Sequence, residues 1–339
     1  MSIITFQGVN HQCRSNETVM ECLERHGVSV PSSCRSGICQ TCLMRAVSGQ
    51  PSRDSQKELK SSLQKRNYFL SCVCKPTSDL TVAVPNSEVL PRVPVTVIQK
   101  QEMNSNVIRL RLRPEQPLEY RAGQFINLYR HDDNLVRSYS AASLPQYNEP
   151  IEIHVRHLEN GKMSTWLHQR VFPGDRLTIE GPHGDCFYHR GSSDQPLLLI
   201  GTGCGLAPLY GIVRDALDHG HSGPICLFHG SSTHDGLYLI DELRHLAEHY
   251  ANFFYTPCIS SEPVRKGFAA GRAEQVALDT MKSLKGVRLY LCGHPDMVRE
   301  TKRKAFLAGA SLKEIFADPF VINSGVISTS NKEHKVIAV

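Results

Sequence analysis

The sequence predicts a multidomain chain of three unlike parts: a small α+β domain, an antiparallel β-barrel and an α/β domain built on a parallel sheet. Three observations carry this. Cysteines in ligand-like spacing gather near the N-terminus. Through the middle of the chain, apolar and polar residues alternate in short runs separated by turn residues. After Pro196 the runs become continuously apolar and are followed by glycines and helical stretches. At 339 residues, with 40% hydrophobic and 21% charged residues, the chain suits about two to three globular domains rather than one core.

The first part is assigned to residues 1–88. Its centre is Cys34-Arg35-Ser36-Gly37-Ile38-Cys39-Gln40-Thr41-Cys42, a Cys-x4-Cys-x2-Cys spacing. With one more cysteine, this is the ligand spacing of a plant-type [2Fe–2S] cluster. Ser36, Gly37 and Thr41 are small enough for the backbone to approach the sulfurs. Zinc favours two short Cys-x2-Cys knuckles, and only one is present. Disulfides are disfavoured because no secretory signal is read at the N-terminus. The fourth ligand is Cys72 or Cys74. The interval from Cys42 and the preceding Leu70-Ser71, which resemble plant-type ferredoxins, favour Cys72. Residues 17–27 have helical periodicity ending in Gly27, residues 82–85 read as a closing strand, and Cys13 and Cys22 read as buried small hydrophobes.

Residues 86–94 read as a Pro-bounded linker. The barrel is assigned to residues 94–192, with strands at 95–98, 107–112, 125–129 and 151–155. Within it, Arg137-Ser138-Tyr139-Ser140 combines a bidentate anion binder, a flat ring and a hydroxyl. An ordinary barrel strand is the plainer reading of that run. The α/β domain is assigned to residues 193–320, with buried strands at 197–200, 225–228 and 287–292. Leu199-Ile200-Gly201-Thr202-Gly203-Cys204-Gly205-Leu206-Ala207-Pro208 places three glycines between a buried strand and a helix. There the backbone can approach a pyrophosphate, or the run is simply a tight turn. Cys292-Gly293-His294-Pro295 closes another apolar strand, where ligands of open parallel sheets bind; a buried structural cysteine is the alternative. Residues 321–339 form a tail of unassigned role.

Taken together and in this order, the motifs resemble the ferredoxin–NADP reductase superfamily. In particular they resemble the single-chain reductase components of bacterial methane, phenol and benzoate oxygenases. The resemblance implies a β-grasp ferredoxin domain, a flavin-binding barrel and a nicotinamide-binding α/β domain, holding a [2Fe–2S] cluster, FAD and NADH. By resemblance, Cys34, Cys39, Cys42 and Cys72 hold the cluster. Arg137 meets the FAD pyrophosphate, Tyr139 packs on the isoalloxazine and Ser140 sits near its N5. Gly161-Lys162-Met163-Ser164 matches the flavin-phosphate motif, with the neighbouring Trp166 expected in the core. Gly201, Thr202, Gly203 and Gly205 form the dinucleotide loop, Cys292 and Gly293 lie by the nicotinamide, and Phe320 shields the flavin.

The implied activity is hydride transfer from NADH to FAD, then single-electron transfer through the cluster to a partner oxygenase or an intermediary acceptor protein. Ser140 and Cys292 are the catalytic candidates. NADPH is the less favoured donor: residues 230–238 carry no Arg for a 2′-phosphate, while Asp235, Asp241 and Glu242 repel one. The alternative activity is a reductase for a deoxysugar dehydratase system, or a free-standing flavin or ferric reductase.

Charge and hydropathy bound the partners. The net charge of +5 is spread along the chain without a basic block, which disfavours nucleic acid. No run of about 18 apolar residues predicts a membrane span. Twelve cysteines without an export signal fit a reducing cytoplasm. The first 88 residues hold ten Lys/Arg against seven Asp/Glu, so the acceptor would meet a surface not dominated by negative charge.

Overall fold

A computed structural model describes residues 2–59, 61–85, 92–133, 135–145 and 149–321. The first domain contains β1 (Ile3–Phe6), β2 (Val9–Gln12), α1 (Val19–Arg25), β3 (Leu43–Ser48), α2 (Ser61–Lys65), β4 (Tyr68–Leu70) and β5 (Leu80–Ala83). Its mixed sheet has the order β2-β1-β5-β3-β4, with β1 and β5 parallel and the other pairs antiparallel. Thr18 and Glu21 form a reciprocal capping box at the start of α1, which satisfies two otherwise unpaired groups. Val19, Met20, Cys22 and Leu23 share the buried face of α1 and join Ile4, Phe69 and Leu80 in the core. A helix packed on a mixed sheet is the expected β-grasp arrangement. Cys13 and Cys22 are core residues, and the closing strand begins earlier than read and stops at Ala83.

The second domain contains β6 (Arg92–Glu102), β7 (Val107–Pro114), β8 (Phe125–Arg130), β9 (Leu135–Ser140), β10 (Ile151–Arg156), α3 (Lys162–Gln169) and β11 (Arg176–His183). Every pair in its sheet is antiparallel, in the order β10-β7-β6-β11-β8-β9. A bridge from Ala141 to Ile153 joins the two edges and closes the barrel. Val95, Val97, Leu110, Leu112, Ile126, Leu128 and Ile153 fill its interior. Of the linker read at 86–94, residues 86–91 lie outside the described residues, and Arg92–Pro94 already belong to β6. Val93 and Pro94 pair there with Ile179 and Thr178 of β11. The proline therefore lies inside the strand, at the residue before β6 begins to pair with β7 at Val95.

The third domain contains β12 (Leu197–Thr202), α4 (Leu206–Asp218), β13 (Ile225–Ser231), α5 (Ile240–His249), β14 (Phe253–Ile259), β15 (Ala269–Ala270), α6 (Ala273–Thr280), β16 (Arg288–Gly293), α7 (Pro295–Leu307) and β17 (Ile315–Pro319). The sheet is parallel throughout, ordered β15-β14-β13-β12-β16-β17. From β12 the chain steps one way to β13, and β16 lies on the other side. The carboxyl ends of β12 and β16 therefore flank the switch point where ligands bind in such sheets. Of the tail read at 321–339, residues 322–339 lie outside the described residues. Among the described residues, no helix is long and apolar enough to cross a membrane.

Candidate redox centre

The cysteine loop is coiled inward. Arg35, Gly37 and Gln40 all take left-handed backbone angles, with φ of 52°, 80° and 58°. This turns N–H groups toward sulfur: Ser36 and Cys39 donate to Cys34 Sγ at 3.4 and 3.3 Å, and Cys34 N–H donates to Cys39 Sγ at 3.4 Å. The Thr41 hydroxyl adds a bond to Cys39 Sγ at 3.2 Å. Arg35 pairs with Glu24 at 2.6 Å and ties the loop to α1. Contact with the Cys39 thiol pulls Cys34 well below the usual thiol range, against its burial, with help from Ser36.

The fourth cysteine comes from the turn after β4. Ser71 N–H and Oγ both donate to the Cys42 carbonyl, at 3.1 and 2.9 Å. The Cys42 thiol then meets Cys72, and this contact with burial raises it far above its ordinary value. Cys74 is fully buried beyond this pair, with the Ser52 hydroxyl 3.8 Å from its sulfur. The thiols thus fall into two pairs, Cys34 with Cys39 and Cys42 with Cys72. Among the described residues, no three of these four sulfurs lie within 4.8 Å of one another. A single tetrahedral ion bound at about 2.3 Å would draw them closer than that. Two pairs, one per iron, with N–H groups aimed at sulfur fit a [2Fe–2S] cluster.

The flavin candidates stand on β9, and alternation divides them. Arg137 and Tyr139 share one face, while Ser138 and Ser140 share the other. Tyr139 packs on the barrel core, and burial pushes its hydroxyl up, with Arg137 acting the opposite way. One Arg137 amine donates to the Val136 carbonyl at 2.7 Å. Further along, Gly161 is the N-cap of α3. Gly161 and Lys162 line an open pocket of about 510 Å³ with Arg130, His157, Trp166 and Arg170. Among the described residues no carboxylate lines it, and the first N–H groups of a helix lack internal acceptors. A basic pocket at a helix start suits a diphosphate, so the set fits a dinucleotide flavin. Met163 is buried in the barrel core, and the Ser164 hydroxyl is spent on the turn, accepting from Leu158 N–H at 3.1 Å and donating to Gly161 O at 3.2 Å. Trp166, expected in the core, is half-buried: it packs on the barrel core and also lines the pocket.

In the third domain the glycines divide by role. A Cβ on Gly205 would lie 2.2 Å from the Cys292 carbonyl oxygen, and one on Gly293 would lie 2.5 Å from Thr202 Oγ1. Both are bare so that the loops after β12 and β16 can interlock, and Thr202 Oγ1 accepts the His294 N–H at 3.1 Å. Gly201 likewise packs on Leu209. Close approach of a ligand is left to Gly203, with φ of 53°, whose Cβ position meets only the Arg156 side chain.

Cys292 is fully buried, its sulfur 3.5 Å from Cys186, and burial together with that neighbour raises its thiol. Beside it in register is Asp318 of β17. Asp318 Oδ2 accepts the Ser140 hydroxyl at 3.1 Å. Burial lifts this carboxyl to about 6, against the Ser140 bond and with a contribution from the nearby Cys34. Asp318 therefore joins Ser140 of the barrel to Cys292 of the parallel sheet. Asp318 and Cys186 were missed from sequence; a lone acid inside the apolar ending Phe316–Phe320 was the available signal for Asp318. Phe320 is half-buried and donates its N–H to Gly293 O at 2.7 Å.

Three family models match consecutive stretches: a 2Fe-2S iron-sulfur cluster binding domain at residues 4–77, an oxidoreductase FAD-binding domain at 94–188 and an oxidoreductase NAD-binding domain at 199–303. The reductase component of the naphthalene 1,2-dioxygenase system of Pseudomonas putida is 32% identical over 307 residues, covering 89% of this chain and 93% of that protein. The phenol hydroxylase P5 protein of Acinetobacter pittii is 30% identical, covering 86% of each. The crystal structure of the Amycolatopsis cytochrome P450 reductase GcoB superposes with a TM-score of 0.68 at 28% identity, covering 94% of this chain and 99% of that one.

Proposed function

The chain belongs to the reductases that unite a 2Fe-2S domain with FAD- and NAD-binding oxidoreductase domains, and on that premise we propose that it carries electrons from NADH to a partner oxygenase or an intermediary acceptor protein. The contacts of the barrel with both neighbouring domains carry this reading, because Ser140 bonds Asp318 of the nucleotide sheet and Asn127 bonds the Cys39 carbonyl of the cysteine loop. Bound FAD supplies hydride acceptance and release of single electrons, and the cluster supplies one-electron carriage.

The protein's part is positioning. Cys34, Cys39, Cys42 and Cys72 would hold the cluster in two pairs. Arg137 and the basic pocket at Gly161 and Lys162 would bind the flavin diphosphate, Tyr139 would lie against the ring system, and Phe320 would cover it. Gly203 would admit the nicotinamide dinucleotide, with Thr202 and Gly293 holding the two loops together. Cys292 would sit at the hydride-transfer end, and Ser140 would offer its hydroxyl oxygen to the flavin while its proton is held by an ionised Asp318. The relatives serve naphthalene and phenol oxygenation, and an aromatic oxygenase is the acceptor class we assign. Twelve cysteines outside disulfides, four of them proposed as cluster ligands, support a cytoplasmic location.

The preference for NADH rests on the loop after β13. There His234 N–H bonds Glu262 at 2.8 Å, which adds negative charge to that of Asp235. Arg244, not considered from sequence, lies over Phe268, whose ring packs on His234, and Asp241 is 4.0 Å away. Arg244 thus brings a cation to this side, and it supports residual use of NADPH as a second reading. Steady-state assays with each nucleotide test this. We expect kcat/KM at least about tenfold higher with NADH, and Arg244→Ala to weaken NADPH use alone. Equal efficiencies would contradict the assignment.

A further inference from the structure

One buried side chain ties the flavin barrel to the cysteine loop. Asn127 lies on β8 between Ile126 and Leu128, which point into the barrel core, so its own side chain points outward. It is nevertheless 0% exposed, because the first domain covers it. Its Nδ2 donates to the Cys39 carbonyl at 3.1 Å and to Glu180 Oε1 at 3.2 Å. Its Oδ1 accepts the Ser138 hydroxyl at 2.8 Å. Both ends of the amide are thus committed, and the two ends belong to different sites. Cys39 stands in the cluster loop, and Ser138 stands inside the Arg137–Ser140 run.

The surroundings hold the amide in place. Glu180 is buried and accepts the Tyr129 hydroxyl at 2.6 Å, while His183 Nε2 lies 3.4 Å from the asparagine nitrogen. A buried amide of this kind is unfavourable unless every partner is met. A leucine here would bury equally well and would specify nothing about how the domains meet. Satisfied polar networks, by contrast, select one arrangement among several of similar packing.

We infer that Asn127 is a positioning residue for electron transfer, setting the cluster loop against the flavin strand through the chain Ser138–Asn127–Cys39. The inference rests on the electron path proposed above. It separates two steps: hydride transfer depends on the nucleotide loops and on Arg137, Tyr139 and Ser140, whereas the onward electron depends on where the Cys39 peptide is held. A small displacement between reacting groups is enough to slow a positioned step strongly.

The test is Asn127→Leu in the full chain loaded with FAD and cluster. After rapid anaerobic mixing with NADH, flavin bleaching should stay within about twofold of wild type, and the EPR signal of the reduced cluster should appear at least about tenfold more slowly. Independently of turnover, amide exchange across residues 34–42 of the oxidised protein should quicken about tenfold. Ser138→Ala, which frees only the asparagine oxygen, should slow cluster reduction about threefold and keeps the inference testable if the leucine variant does not fold. Unchanged cluster reduction overturns the inference, as does an equal loss in both steps with unchanged exchange. A wild-type cluster that stays oxidised under NADH would instead refute the path itself.

Discussion

Two thiols compete for one position at Cys72 and Cys74, and Ser71 separates them. Its bonds to the Cys42 carbonyl bring Cys72 to Cys42, while the Cys74 carbonyl accepts the Val19 N–H at the start of α1. Cys72→Ser should lower bound iron and abolish thiolate-to-iron absorption. Cys74→Ser should keep both and lower stability by about 1 kcal/mol as a buried polar replacement; iron analysis and melting decide between them. Asp318 gives a second residue-level test. Its folded value of about 6 lies above the ordinary 3.8. Relative to the charged form, the stability this group contributes is fully present below pH 3.8 and is lost as the pH rises through 6. The loss amounts to about 3 kcal/mol. Asp318→Asn should therefore raise the melting temperature above pH 7 and give no gain near pH 4. A gain of equal size at both pH values would contradict the burial of this charge. The cysteines were legible because three of them lie within one short loop. Asp318 was not, because its partner Ser140 is 178 positions away.

At the level of elements, sequence patterns read best where one face or a whole strand is apolar. The four strands read in the barrel lie within β6, β7, β8 and β10, and the buried runs within β12, β13 and β16 are central or next to central in their sheet. β11 was missed because its Glu180 and His183 are polar yet buried, through contacts with Tyr129 and Asn127 that no local pattern announces. The same limit applies to the glycine loop, where sequence offered either ligand approach or a tight turn. The structure packs Gly205 and Gly293 tightly and leaves Gly203 open, where the approach of a ligand is proposed. Gly205→Ala would place a methyl carbon 2.2 Å from the Cys292 oxygen, so the loops after β12 and β16 must separate. We expect a loss of about 1–3 kcal/mol on melting and a raised KM for NADH. An unchanged melting temperature and KM would show that these loops do not rely on that contact.

Across the whole molecule, the order of three domains along the chain was legible because the cysteine spacing marks the first and the change from alternating to continuous apolar runs separates the other two. The way they meet was not, since the contacts join residues far apart in the chain, some apolar, such as Val107 within the core of the third domain, and some buried and polar. Asp318 joins the third domain to the flavin strand, Asn127 joins the barrel to the cysteine loop, and His154 of β10 meets the Tyr238 hydroxyl at 3.1 Å. These contacts make one assembly of three domains, which electrons would cross in one direction. The most direct measurement is an anaerobic titration of the loaded protein with NADH, followed by visible absorption and EPR. With two electrons taken by FAD and one by the cluster, both signatures should reach full reduction at about 1.5 equivalents. Flavin bleaching that ends at about one equivalent, with the cluster still oxidised, would contradict it.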